Sequence, residues 1–263
     1  MITDKKWKEM VKKWEKVGPV YQIPRRSRDR LKHFCDNCLP LLKRREVLEI
    51  GCNAGVFGLC ISEVAEKYMG IEPGNKISRK KKNKTDYFEQ ALITRKESKK
   101  MQFLNYTVKE ACGVIDEIKF DSLVMCYALY HLSDKEIDLL KEKILPRCDL
   151  VIIQNREQPR KTKHNSYAFY KSKNCVKFFE GQGYKVELIW GEDRGTKKAF
   201  SEIICRRVQW APDQLKKLKD EKRDAKPFNM MKKVVEKIEN QGKTEENKAG
   251  EAPVSSGPGT PQG

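Results

Sequence analysis

Short apolar runs alternate along this chain with windows whose apolar residues recur at helical spacing. A run of four to eight apolar residues closed by a turn signal is the pattern of a strand buried on both faces. Recurrence at three and four residues is that of a helix with one buried side. The run Glu46–Ile50 (EVLEI) ends at Gly51 and predicts a first strand. A helix is expected over 57–68, where Leu59, Ile61, Val64 and Ala65 share a face, and a second strand over 69–72, closed by Pro73 and Gly74. A helix over 87–100, a strand over 102–108 and a strong strand over 120–127 (FDSLVMCY) follow. Ser133 and Glu136 have the spacing of a capping box and open a further helix. A fifth strand is expected over 149–154 and a charged loop from Asn155 to Asn165. A helix over 171–182 then ends at Gly183, and two last strands lie at 184–190 and 200–206.

Strands alternating with crossover helices imply an α/β fold: a doubly wound, mostly parallel sheet of seven strands, covered on both faces. The last two strands have no helix between them and are expected to pair antiparallel. The expected organisation is a basic, helical N-terminal extension over 1–45 and the α/β domain over 46–208. A charged helix over 209–240 and a disordered tail over 241–263, rich in glycine and proline, complete it. In the extension, Trp7, Met10, Val11, Trp14 and Val17 make one apolar stripe on a basic helix.

Composition changes the picture mainly through charge. The 263 residues hold 55 basic and 37 acidic side chains, a net +18. The excess is concentrated before the first strand and after the second, where the run SRKKKNK occupies 78–84. A strong positive excess favours polyanionic partners, nucleic acid above all, although lysine-rich surfaces also serve solubility. No window approaches 18 consecutive apolar residues, so no transmembrane segment is expected. The first residues lack the apolar core of a secretory signal. Nine scattered cysteines read as reduced thiols and a cytoplasmic setting. Cys35 and Cys38, with His33 beside them, have zinc-ligand spacing but no second pair, so no metal site is expected.

The segment VLEIGCNAGVFG carries the clearest chemistry. A glycine-rich turn between a strand and a helix lets backbone approach a ligand closely, and the helix N-terminus adds N–H groups and positive dipole. The dinucleotide fingerprint G-x-G-x-x-G does not fit, nor does the phosphate loop ending in Lys-Ser/Thr. What is present is Glu49-x-Gly51-x-Asn53-x-Gly55, with Glu72 following at the end of the second strand. This arrangement resembles motif I of the class I S-adenosylmethionine-dependent methyltransferases, whose members usually have glycine at the Asn53 position. The resemblance spans about 47–208 and implies S-adenosylmethionine as cofactor. It would be held by Glu49, Gly51, Asn53 and Gly55, by Glu72 on the ribose hydroxyls, and by Cys126 near the methionine end. Thr107 stands where the family commonly has an acid near the adenine.

Methyl transfer needs positioning more than a fixed catalytic group, so the acceptor side is read from residue chemistry. His131 is the candidate acid or base, and Tyr127 and Tyr130 could stack on a planar acceptor. The same YHL turn could instead serve only packing. The fourth strand is followed by neither Asn/Asp-Pro-Pro-Tyr/Phe nor Pro-Cys, which sets aside amino-adenine and cytosine-C5 methylation. Candidate substrate contacts are Arg25 and Arg26 before the first strand, with Arg156, Arg160 and Lys161 after the fifth. Convergent basic segments favour a nucleic-acid acceptor, RNA ahead of DNA. A small-molecule methyltransferase, and a silent cofactor- or RNA-binding subunit with protein partners at its terminal helices, remain alternatives.

Overall fold

The structure, a computed structural model, describes residues 3, 5, 7–9, 11–12, 25–74, 87–157, 169, 171–193 and 198–208. The basic run 78–84, Arg160, Lys161, the helix expected at 209–240 and the tail 241–263 lie outside them. Seven strands form one sheet: β1 Glu46–Ile50, β2 Lys67–Ile71, β3 Met101–Leu104, β4 Ser122–Cys126, β5 Leu150–Arg156, β6 Tyr184–Asp193 and β7 Lys198–Arg207. Their spatial order is β3-β2-β1-β4-β5-β7-β6. The first five are parallel; β7 runs antiparallel to both β5 and β6. The expected doubly wound sheet with an antiparallel end is therefore present.

Helical residues at 5, 7–9 and 11–12 precede it, and six further α-helices accompany it: α1 Arg25–Asn37, α2 Val56–Val64, α3 Tyr87–Arg95, α4 Val108–Cys112, α5 Asp134–Leu139 and α6 Ser172–Gly181. Two differences from the pattern-based reading have local causes. The third strand ends at Leu104 rather than running to 108, because Thr107 caps α4: its hydroxyl accepts from the Glu110 N–H while Glu110 returns a bond to the Thr107 N–H. The fifth strand reaches Arg156 instead of ending at 154, because β7 pairs with it as far as Phe200. The capping box at Ser133 and Glu136 is formed as expected, and Gly183 ends its helix region at φ +81°.

Alternate residues of the buried strands feed two apolar layers. Leu48, Ile50, Leu123, Met125, Val151 and Ile153 face the layer covered by α4, α5 and α6. Val47, Val124, Cys126, Leu150 and Ile152 face the layer of α1, α2 and α3. This two-sided burial is why the runs are almost continuously apolar rather than alternating. In the second layer Leu31, Phe34 and Cys35 of α1 are within 1 % of full burial, and Trp7 and Val11 of the N-terminal stripe pack against the same cluster. Helix α2 lies tight on β2: a Cβ on Gly58 would stand 2.4 Å from the ring of the buried Tyr68.

A polar cluster fastens α1 across β5 and β7. Glu202 of β7, fully buried, accepts from Asn37 Nδ2 at 3.1 Å and from Gln154 Nε2 at 3.1 Å, and faces His33 Nδ1 at 2.9 Å. Gln154 also donates to the Arg30 carbonyl at 2.9 Å. Glu202 raises the His33 pKa above its ordinary 6.5, chiefly through their hydrogen bond, against the opposing effect of burial. No described helix is long and apolar enough to cross a membrane.

Two outcomes follow from this packing. Gly58→Ala overpacks the Tyr68 contact; that costs about 1–3 kcal/mol, against about 1 kcal/mol of helix propensity gained. A lower midpoint in denaturant unfolding is expected, and an unchanged or higher midpoint would show that the layer yields. His33 holds its proton to higher pH folded than unfolded. Its stabilising contribution is thus complete below pH 6.5 and is lost as pH rises through the folded value. The thermal midpoint of His33→Gln should therefore fall less than that of the parent over this rise; equal slopes would remove His33 from the linkage.

Candidate functional site

The chain reverses its winding direction between β1 and β4, and ligands of open α/β sheets bind outside the strand ends at such a point. The loop leaving β1 there is shaped by three left-handed residues: Gly51 at φ +71°, Asn53 at +49° and Gly55 at +73°. Glycine is required at both ends for space as well. A Cβ on Gly51 would stand 2.7 Å from Ala128 Cβ, and one on Gly55 2.6 Å from the Phe103 ring. Asparagine tolerates the intermediate position, and its Nδ2 donates to the Gly51 carbonyl at 3.2 Å.

The loop is tied to the end of β2. Gly51 and Cys52 N–H both donate to the Ile71 carbonyl, at 2.9 and 3.3 Å. The Asn53 N–H donates to Glu72 Oε2 at 2.9 Å. Glu72 thereby stands at the lip of the loop, with its own N–H on the Leu104 carbonyl. Gly55 is the N-cap of α2 and no side chain caps that terminus, so its first N–H groups face the loop. Glu49 lies beneath, 1 % exposed, and accepts from the Tyr68 hydroxyl at 2.6 Å. Burial pushes its pKa up to about 8, helped by the nearby Glu72 charge and opposed by the Tyr68 bond. The carboxyl therefore holds its proton to higher pH than a free acid and is fixed beneath the loop by the Tyr68 hydroxyl.

The turn after β4 forms the opposite wall. Cys126 is buried at the strand end, and Ala128 backs onto Gly51. Between them Tyr127 is left-handed at φ +60°, its N–H donating to the Gln154 carbonyl at 2.8 Å. Desolvation raises its phenol pKa further above the ordinary 10 despite two nearby arginines, so it remains protonated. Arg30 of α1 stands 5.5 Å from the ring centroid and Arg156 of β5 4.9 Å from it. The Tyr127 hydroxyl, Arg156 Nε and Gln154 Oε1 are buried without a hydrogen-bond partner among the described residues. Tyr130 and His131 follow in a short 3-10 turn, their rings 4.5 Å apart, with Tyr130 buried and His131 exposed.

The structure thus gathers Glu49, Gly51, Asn53, Gly55 and Glu72 on one side of a crevice and Cys126, Tyr127 and Arg156 on the other. Thr107 sits on the β3 side, beyond β2, with its hydroxyl engaged in capping α4. Arg25 and Arg26 lie in the first turn of α1. Cys35 and Cys38 are buried thiols of the core, and among the described residues no group of three His, Cys, Asp or Glu could hold a metal ion. Sequence reasoning did not place Gln154 here, and it offered Arg30 only together with the other arginines of the basic segment before the first strand. Arg30 was one cation in a basic run, and nothing in the sequence pairs it with a tyrosine after the fourth strand.

No protein-family model and no curated protein matches the chain. Solved structures do. A cyclopropane-fatty-acyl-phospholipid synthase-like protein from Lactobacillus casei superposes with a TM-score of 0.55 at 11% identity, over 78% of this chain and 100% of that one. The N-methyltransferase NodS from Bradyrhizobium japonicum, in complex with S-adenosyl-L-homocysteine, gives 0.52 at 11% identity, over 77% and 98%. The magnesium protoporphyrin IX methyltransferase of Synechocystis gives 0.50 at 12%, over 75% and 94%. The loop, the switch point and the strand order agree with these similarities: the chain has the fold of the class I S-adenosylmethionine-dependent methyltransferases.

Proposed function

We propose that the chain binds S-adenosylmethionine in the crevice between the β1 loop and the β4 turn, and transfers its methyl group to a nucleic-acid acceptor, RNA rather than DNA. The observation that carries the cofactor reading is the left-handed Gly51–Asn53–Gly55 loop closed onto Glu72. A Cβ at Gly51 or Gly55 would fill the cradle, so the backbone is kept bare for a close ligand. A carboxylate has about four lone-pair sites. Glu72, whose Oε2 accepts from the Asn53 N–H, is the acceptor at the lip of the loop that suits the ribose hydroxyls. Gly51, Asn53 and Gly55 present backbone, Cys126 borders the methionine end, and Glu49 stiffens the loop from below. Thr107 lies on the adenine side.

When bound, the cofactor supplies an electrophilic methyl on a sulfonium. The chain's part is to hold an acceptor atom in line with it and to exclude water. Tyr127, Tyr130 and His131 are the acceptor-side groups. Tyr127 stays a phenol and acts as a donor, which leaves His131, exposed at the rim, as the group for a proton.

The nucleic-acid reading is supported by the +18 charge and its concentration before β1 and after β2. Arg25, Arg26, Arg160 and Lys161 would be further backbone contacts. The catalytic unit would span 46–208, with the flanking segments available to RNA or a protein partner in the cytoplasm. One observation favours a small-molecule acceptor instead: Arg30 is only 6 % exposed, so the wall it forms admits a single charged group more readily than a strand.

Glu72→Gln keeps an acceptor for Asn53 but removes the charge. A hydrogen bond to a charged group contributes about 1.5–3 kcal/mol, and 1.4 kcal/mol is tenfold. Calorimetry with S-adenosylhomocysteine should therefore show at least about tenfold weaker binding; equal affinity would remove Glu72 from the site. Incubation with methyl-labelled cofactor and total RNA, DNA or a metabolite extract separates the acceptors. Label in RNA is expected, and label confined to small molecules would replace the nucleic-acid reading.

A further inference from the structure

Tyr127 is held in a backbone conformation that a bulky residue adopts only under constraint, and such strain concentrates where a side chain must be aimed. Its constraint is the N–H bond to the Gln154 carbonyl on the neighbouring strand. What the strain achieves is visible in the ring's position. Arg30 reaches it from α1 and Arg156 from the end of β5, at 5.5 and 4.9 Å from the centroid. These elements belong to distant parts of the chain, so the convergence is a property of the tertiary fold.

Attraction between a guanidinium and an aromatic face accounts for one arginine on a ring. It does not account for two like charges beside one phenol whose hydroxyl, like Arg156 Nε, is buried and makes no hydrogen bond among the described residues. Buried donors without partners are rare and destabilising, and each calls for an explanation. Two of the three unmet atoms here, the Tyr127 hydroxyl and Arg156 Nε, are donors beside positive charge, and the third, Gln154 Oε1, is an acceptor on the neighbouring strand. An oxyanion suits both donors in these positive surroundings, since it accepts from the hydroxyl and from the Arg156 guanidinium.

We infer that Arg30, Tyr127 and Arg156 form a binding site for one oxyanion of the acceptor, a phosphate ester or a carboxylate. The site lies at the carboxyl ends of β4 and β5, across β1 from Glu72, and so on the acceptor side of the crevice. This assignment to the acceptor rests on the methyltransferase reading; the binding of an anion does not. The site explains how a specific acceptor is oriented. Basic surface segments attract any polyanion, whereas a buried fork with a phenol donor fixes one group at one distance from the β1 loop.

The test uses the full chain, titrated by calorimetry with inorganic phosphate and, separately, with acetate in 0.15 M chloride. Tyr127→Phe keeps the ring and removes one hydrogen bond, and should weaken the preferred anion about tenfold. Arg156→Gln should weaken it by at least as much, and Arg156→Lys should recover only part, because a lysine lacks the fork. Circular dichroism and thermal unfolding identify any variant that fails to fold, and Tyr127→Phe, the most conservative, then carries the comparison. Tighter phosphate marks a phosphate-ester acceptor and tighter acetate a carboxylate; either, with this variant pattern, supports the site. No saturable binding, or equal binding in parent and Tyr127→Phe, overturns it. S-adenosylhomocysteine titrated into the same proteins reports independently on the cofactor reading, so one can fail while the other stands.

Discussion

The loop leaving β1 crosses the left-handed region three times in five residues, and no repeating hydrogen-bond pattern keeps a backbone in that shape. It is kept by bonds to the neighbouring strand: Gly51 and Cys52 N–H on the Ile71 carbonyl, and Asn53 N–H on Glu72. Much else in the crevice depends on this tie. It brings Gly51 against Ala128, so the β4 turn has only one place to pass, and it sets Gly55 against Phe103, so α2 starts where its bare N-terminus faces the loop. The two acids of the motif divide the work by depth. Glu72 stays at the lip with an oxygen on backbone, while Glu49 is sunk under the loop against Tyr68, where burial raises its pKa. A charge at both depths would repel across the short span between them, and burial disfavours the deeper one.

The opposite wall is organised by a different force. The turn after β4 is strained at Tyr127, and its neighbours are contributed by a helix that precedes the sheet and by the strand at which the sheet turns antiparallel. The first wall is local in sequence, with its parts between residues 49 and 72. The second is assembled from residues 30, 127, 154 and 156. A substitution in α1 can therefore change the wall after β4 without touching the loop after β1.

That contrast sets what could be read from the sequence. The strand runs were legible because double burial leaves little but apolar residues, and the loop was legible because its glycines, Asn53 and Glu72 lie close together in the chain. The antiparallel end followed from the missing helix between the last strands, but not the insertion of β7 between β5 and β6. The helix at Val108–Cys112 is absent from the sequence reading, whose expected strand runs as far as Val108, although Thr107-x-x-Glu110 has the spacing of the capping box recognised at Ser133; the apolar residues before it outweighed that signal. Arg30, Gln154 and Glu202 were not legible in their roles, because each acquires a partner only across the fold. Gln154 and Glu202 even sit in strand runs where a polar residue reads as a flaw in the pattern.

The insertion of β7 beside β5 places Glu202 under α1, where Asn37 reaches it across 165 residues of chain and Gln154 reaches the Arg30 carbonyl across 124. Synthesis therefore delivers the two ends of this junction far apart in time. While β1 to β5 can assemble as they emerge, α1 lacks its Glu202 contacts until β7 has been made and has paired with β5. Contacts of such long separation close loops slowly. Until then only the apolar face of α1 and the Gln154 bond to the Arg30 carbonyl hold this helix to the sheet.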